Sequence, residues 1–284
     1  MNFKVVKTLL ISVIFFFIGL LISYLTLSKI QPNNLTGRVL TQSTTPPQVL
    51  SATFPATPAL SPTPSPTPSL SKDRYVIAVI GDSMEEVMGD SIDYVLTLLR
   101  EKYPKTNFAM YNYGVGSENI TSGLARFDAP FEHGTRHYPP IAEIKPDILI
   151  VGSYAYNPLV PFDKALHALK LTELVSKARQ VSSKVYMLAE IAPVESDFGT
   201  GPGGVNWPVE LANAQVQKII EQMENVFTVA TELQVPVIDV YNKSKKPNSI
   251  YGNPEYVSTH DHIHPSLLGQ TFTAGIIINT IFLK

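Results

Sequence analysis

Residues 258–265 read STHDHIHP, and within them His260, His262 and His264 alternate with Asp261 and Ile263. Alternate residues of an extended segment share a face, so three imidazoles spaced in this way can converge on one metal ion. The same letters hold a D-x-x-H pair, Asp261 and His264. A serine nucleophile needs that combination: a His to take its proton, and a carboxylate to hold the His in one tautomer. A serine suited to the role stands in VIGDSM, where Ser83 follows Gly81 and Asp82. Gly-Asp-Ser by itself is a weak signal, because such a turn is commonly only a helix cap, with Asp82 bracing it. A metal claw needs a further ligand, from His133, His137 or an acidic residue, and leaves Gly81-Asp82-Ser83 without a task.

Positioning these groups is the work of the surrounding elements. From Asp73 onward, short apolar runs alternate with longer amphipathic ones, the pattern of an α/β domain with a mainly parallel sheet. Five strands are predicted, over 75–80, 108–113, 147–152, 184–191 and 235–240. Met84, Met88, Val95, Leu99 and Tyr103 suit one helical face after the first strand, and 164–181 and 209–233 read as crossover helices. The segment 265–282 begins with Pro at a helix-N1-like position. It is uncharged for long enough to raise a second membrane helix, but Gln270, Asn279 and several Thr favour a core helix that closes the sheet. Ligands of such sheets bind outside the carboxyl ends of the strands. GDSM (81–84), NYGVGSENI (112–120), GSYAYNP (152–158) and ESDFGTGPGGVNWP (195–208) follow the first four strands, and the Asp-His segment follows the fifth. A serine at a strand-to-helix turn presents its hydroxyl at the sheet edge, with helix N–H groups beside it.

The chain has 284 residues, 44% of them hydrophobic, a net charge of -2 and no Cys. That excludes disulfides, thiolate metal sites and a cysteine nucleophile, and no basic cluster marks a nucleic-acid partner. Thr8 to Ser28 is uncharged and about the length that crosses a hydrocarbon core of roughly 30 Å. Lys4, Lys7 and the terminal amine precede it, so residues 1–30 read as a transmembrane signal anchor with the N-terminus cytoplasmic and the remainder exported. A cleaved signal peptide is the alternative; the long apolar run and the lack of an A-x-A-like site speak against it. Residues 31–72 are rich in Pro, Ser and Thr, with Arg38 the only charge before Lys72. SPTPSPTPS favours polyproline II, and the segment reads as a linker between membrane and domain.

With these motifs in view, residues 73–284 resemble the SGNH, or GDSL-type, hydrolases. VIGDSM, NYGVGSENITSGLARF, IKPDILIVGSYAYNP and HDHIHPSLLG carry the resemblance. It implies a three-layer α/β/α flavodoxin-like fold with a five-stranded parallel sheet. It makes Ser83 the nucleophile, with Asp261 and His264 its partners, and favours that triad over a metal site. His260 and His262 then line the mouth or sit on the surface, and His133 and His137 belong to an exposed loop. Two departures stand out. The third block of the family reads G-x-N-D, whereas here Gly152-Ser153-Tyr154-Ala155-Tyr156 precede Asn157, which is taken as the oxyanion amide. In the second block the oxyanion N–H falls on either Gly116 or Ser117, beside that of Ser83.

The expected activity is that of a membrane-anchored, extracytoplasmic serine esterase acting on acyl or acetyl esters, without cofactor or metal, as a monomer. An O-acyltransferase acting on cell-surface glycans with the same triad is one alternative, and a non-catalytic surface module another. Tyr154, Tyr156, Trp207 and Tyr251 lean toward a carbohydrate ester, and a lipid ester, which would call for a broad apolar groove, stays open. GTGPGG (199–204) lacks the G-K-[ST] ending of a phosphate loop and reads as a mobile flap. Arg126 and Asp128 are expected to make surface or loop contacts, and the sequons at Asn34, Asn119 and Asn242 assign nothing by themselves.

Overall fold

Five strands run parallel in the order β2-β1-β5-β6-β7: β1 Arg74–Gly81, β2 Asn107–Gly114, β5 Ile148–Val151, β6 Val185–Ala189 and β7 Val237–Asp239. The remaining two, β3 (Phe131–His133) and β4 (Arg136–Tyr138), form a separate antiparallel hairpin. This computed structural model describes residues 70–283. The expected transmembrane segment, and the expected linker up to residue 69, lie outside the described residues.

Near-continuous burial explains why the central strands read as unbroken apolar runs. Ile148, Leu149, Ile150 and Val151 are each at most 1% exposed, as are Ile77 to Ile80 of β1. A strand covered on both faces has no polar side to alternate with. Each such aliphatic side chain contributes about 1.5–3 kcal/mol by leaving water. Registers are set by pairs such as Gly81 opposite Gly114 and Ile80 opposite Val151, which bring the ends of β1, β2 and β5 to one edge. The helices Lys164–Val181 and Val209–Leu233 match the expected spans and pack on each other and on β5, β6 and β7. The helices Asp93–Lys102 and Leu267–Thr280 pack together as a second pair. The sheet thus carries its helices in pairs, as an α/β/α arrangement does.

Three expectations need correcting. The single helix expected after β1 is two: Ser83–Glu86, then Asp93–Lys102. Gly89, at φ +85°, turns the chain out of the first helix, and the side-chain amide of Asn112 donates to the carbonyls of Glu85 and Gly89 at 2.7 and 2.9 Å. Pro265 precedes the last helix without being its first residue; Ser266 is the N-cap, accepting from the N–H of Gly269. His133 and His137 lie on the β3–β4 hairpin, not in a loop. The last helix has Thr273, Ala274, Ile276 and Ile277 buried, and among the described residues no helix is long and apolar enough to cross a membrane.

Candidate active site

Ser83 opens the four-residue helix two positions past the last residue of β1. Asp82 sets the turn. Its carboxylate accepts from the N–H of Met84 at 2.8 Å, and its own N–H donates to Glu85 Oε2 at 2.9 Å. These reciprocal bonds are a capping box, worth about 1 kcal/mol. The carboxyl of Glu85 fits only because residues 81 and 152 are glycines, whose absent β-carbons would overlap it.

Beneath Ser83 three carboxyl groups are buried together. Asp82, Glu85 and Glu190 are 1%, 0% and 3% exposed. Burial, then the charge of Glu190, pushes Asp82 up to about 7; the Met84 N–H and the Asn157 amide pull against it. Burial drives Glu85 well above the ordinary range and raises Glu190, against hydrogen bonds from Glu85 and Ser153. The group therefore keeps protons that exposed carboxyls lose. Glu190 also holds the segment after β5: it accepts from the Ser153 N–H at 2.7 Å and from its hydroxyl, which in turn accepts from the N–H of Ala155 at 2.9 Å. Ser153 O accepts from His167 Nε2 at 2.9 Å, and His167 Nδ1 then accepts from Asn225 at 3.0 Å. Burial pushes His167 down to about 4, so it stays neutral.

On the other side, Asp261 Oδ2 lies 2.6 Å from His264 Nδ1, and Oδ1 accepts from the N–H groups of Ile263 and His264 at 2.9 and 3.0 Å. Burial alone would raise Asp261. The His264 contact and the two backbone donors outweigh it and hold the carboxyl below its ordinary value. Donation from Nδ1–H fixes the tautomer and leaves Nε2 as the acceptor. Ser83, Asp261, His264, Gly116, Ser117 and Asn157 all line one cavity of about 460 Å³, closed by Tyr156, Phe198, Val205, Trp207 and others. Among the described residues no hydrogen bond joins Ser83 to His264; such bonds commonly tighten only around substrate. A second cavity, about 420 Å³, lies around Arg179, Lys184 and Gln234 and holds none of these groups.

The oxyanion candidates separate. Asn157 Nδ2 donates to Asp82 Oδ2 at 3.0 Å, which orients the amide and leaves its second N–H for another acceptor. The Gly116 N–H is committed to Glu86 Oε2 at 2.6 Å, so Gly116 is not a free donor here. Ser117, at φ +62°, has no such partner for its N–H among the described residues. Tyr154 is displaced from the expected lining: it is fully buried, its ring filling the space beside Gly123, while Tyr156 faces the cavity.

Three histidines that share a face on paper go to three partners. His264 bonds Asp261, His262 Nδ1 meets the hydroxyl and carbonyl oxygens of Thr200 at 3.1 and 3.0 Å, and His260 lies against Gly203, whose N–H donates to the His260 carbonyl at 2.9 Å. These contacts, with Asn206 bonding Gly201 and Gly204, fasten the 199–206 loop that the sequence suggests is a mobile flap. Arg126 makes more than loop contacts. It donates to the carbonyls of Gly81 and Tyr113 at 3.1 and 2.7 Å, tying the ends of β1 and β2, and pairs with Glu118 at 2.6 Å. Asp128 pairs with Lys177.

No protein-family model and no curated protein matches the sequence. Solved structures do. A lipase/acylhydrolase from Enterococcus faecalis superposes with a TM-score of 0.54 at 17% identity, over 72% of this chain and 94% of that one. A putative GDSL-like lipase from Parabacteroides merdae gives 0.54 at 16%, over 76% and 98%. This chain has the GDSL-hydrolase fold. An acetylxylan esterase from Geobacillus stearothermophilus shares it too, with a TM-score of 0.53 at 16% identity, over 74% and 95%. Residues the sequence did not point to are Glu86, Phe198 and Gln215 in the wall of the GDSL-fold cavity, and Glu85 and Glu190 beneath it. No local motif distinguishes them from surface carboxylates or helix residues.

Proposed function

We propose that the chain is a serine hydrolase of acyl or acetyl esters. One observation carries the reading: a single cavity holds Ser83, the bonded pair Asp261–His264, the Asn157 amide and the Ser117 turn. Ser83 Oγ attacks the ester carbonyl while His264 Nε2 takes its proton, and Asp261 stabilises the imidazolium. The tetrahedral oxyanion is met by the backbone N–H groups of Ser83 and Ser117 and by the free N–H of Asn157. His264 returns the proton to the departing alkoxide, leaving acyl-Ser83; water, deprotonated by the same His, releases the acid and restores the serine.

A carbohydrate ester fits the wall best. Trp207 is 40% exposed beside the cavity, and Gln215 in the same wall offers hydrogen-bonding groups to hydroxyls. If a glycan hydroxyl replaces water in the second step, the same residues transfer the acyl group. The N-terminal run 8–28 anchors the chain with the domain from residue 73 outside the cytoplasm, and residues 31–72 space it from the membrane.

The test is turnover by the full-length chain of p-nitrophenyl esters with short and long acyl groups and of acetylated polysaccharides, beside Ser83→Ala. Hydrolysis of short esters and release of acetate, both lost in a folded Ser83→Ala, support the reading. Absence of turnover together with no labelling of Ser83 by a fluorophosphonate sinks it and leaves a binding module.

A further inference from the structure

The carboxylate of Glu86 stands in the wall of the catalytic cavity, where a bare negative charge would oppose an oxyanion. It is not bare. Glu86 Oε1 meets Arg136 Nη2 at 3.0 Å and His133 Nε2 at 2.6 Å, while Oε2 takes the Gly116 N–H at 2.6 Å. Arg136 is itself only 5% exposed. Its Nη1 donates to the Asn112 carbonyl at 2.9 Å, its Nε lies 3.7 Å from Asp90, and its guanidinium sits 5.3 Å from the ring centre of Phe131. The hairpin that supplies Arg136 and His133 is packed on β2 by ring contacts of Tyr113 with Phe131 and Tyr138, at 5.1 and 5.3 Å.

One rigid series of contacts therefore runs from the hairpin through Glu86 to the 115–117 turn. Its far side is fixed by the Val115 N–H on the carbonyl of Gly81 at 3.1 Å. Ser83 and Glu86 belong to the same four-residue helix, so the nucleophile and the turn are indexed to one another. We propose that Glu86 is a positioning residue: held by Arg136 and His133, it occupies the Gly116 N–H and sets the turn so that the Ser117 N–H is the second oxyanion donor. This rests on the ester-hydrolase reading above. The hairpin, which no functional motif marks, thereby becomes part of the catalytic apparatus.

The experiment compares kcat and KM for p-nitrophenyl acetate in the full-length wild type, Glu86→Ala, Glu86→Gln and His133→Ala, with thermal melts alongside. Misplacing a reacting group by about 1 Å costs roughly 100-fold, so Glu86→Ala is expected to lose about 10- to 100-fold in kcat. KM should stay within about two-fold, because an oxyanion donor acts in the transition state. Glu86→Gln, whose amide oxygen still accepts from Gly116, should recover part of the loss. A well-folded Glu86→Ala with wild-type kcat overturns the inference. So does a KM rise at constant kcat, which would make Glu86 a substrate contact. If Glu86→Ala does not fold, His133→Ala decides: a fall in kcat at unchanged melting temperature supports the inference and an unchanged kcat overturns it. Wild type without Ser83-dependent turnover sinks the hydrolase reading and this inference together, whereas an active wild type with unaffected variants sinks this inference alone.

Discussion

Two sets of carboxyl groups flank Ser83, both largely out of water, and they are treated in opposite ways. Asp261 has three donors aimed at it, which overcome the cost of burial and keep it ionised. Asp82, Glu85 and Glu190 are buried deeper and against one another, and all three are raised in spite of the donors that reach Asp82 and Glu190. Burial raises a carboxyl in both places, and what it faces decides the outcome: an imidazole for Asp261, other carboxyls for Asp82 and Glu85. The carboxyl with the lowered value is the one that faces the imidazole; those with raised values lie under the turn that presents the nucleophile. Charge is thus favoured where the chemistry uses it, and the raised carboxyls serve as hydrogen-bonding struts.

The severest break of this contrast is Asp261→Asn. The amide keeps the shape but removes the anion that stabilises the imidazolium, and it favours the wrong tautomer. In the serine proteases the equivalent change costs about 10⁴-fold in kcat, and a loss of roughly 10³- to 10⁴-fold is expected here with the fold intact. Kinetics on a short ester and a thermal melt of the same preparation check it. A kcat near wild type would mean that the ionised state of Asp261 has no catalytic part. Linkage gives a second reading. Because the folded value of Asp261 is depressed, its contribution to stability is present above its unfolded value and is lost as pH falls through the folded one. Asp261→Asn should therefore soften the acid limb of the melting profile.

A smaller effect is expected from Glu85→Gln, which replaces a protonated buried carboxyl with a permanently neutral group of the same shape. The signs run the other way here. The folded values of Glu85 and Asp82 are raised, so their contribution is full below the unfolded values and fades as pH climbs, for Asp82 through about 7. Wild type and variant should melt together near pH 5. At pH 8 the variant should melt higher by about 2–4 °C, the shift that roughly 1 kcal/mol produces in a domain of this size. His167, held neutral at about 4, has the opposite slope, but it contributes equally to both proteins and cancels in the difference. A difference that does not change with pH would show that the carboxyl group is not proton-bearing.

These two carboxyl sets also differ in how readable they are. Asp261 and His264 lie three residues apart, and Ser83 sits in a turn that its neighbours define, so local spacing exposes them. The five strands and the helices 164–181 and 209–233 were equally legible, because buried runs and 3.6-residue periodicity are local signals. Glu190 meets Ser153 across 37 positions and Glu86 meets His133 across 47, and no local pattern encodes such pairings. The β3–β4 hairpin escaped for a related reason: three-residue strands containing Glu, His and Arg have too few positions to show alternation. Asn157 follows from the family resemblance alone, and its bond to Asp82 is a contact that only the folded loop creates.

The smallest effects are expected from the two histidines beside His264, and they return to the ambiguity of the STHDHIHP stretch. His262 is a fastener. Its Nδ1 meets the Thr200 carbonyl, which requires a proton on that nitrogen, and the loop it secures carries Gly203, Val205 and Trp207 into the cavity wall. Loss of that bond in His262→Ala should cost roughly 2- to 10-fold, the worth of one hydrogen bond, and mostly in KM for bulky esters that reach Trp207. His260→Ala should cost no more, since its carbonyl, which any residue supplies, holds the Gly203 N–H. His264→Ala should approach the loss expected in Ser83→Ala, because triad members act as a unit. Chelator should leave all of these rates unchanged, since Nδ1 of His264 is occupied by Asp261 and the other two imidazoles go to separate partners. Equal losses at His260, His262 and His264, with stoichiometric zinc and inhibition by EDTA, would replace the serine triad with a metal site. A graded series with His264 far below the other two would make the Asp261–His264 pair the chemical element of the stretch, and the other imidazoles its local scaffolding.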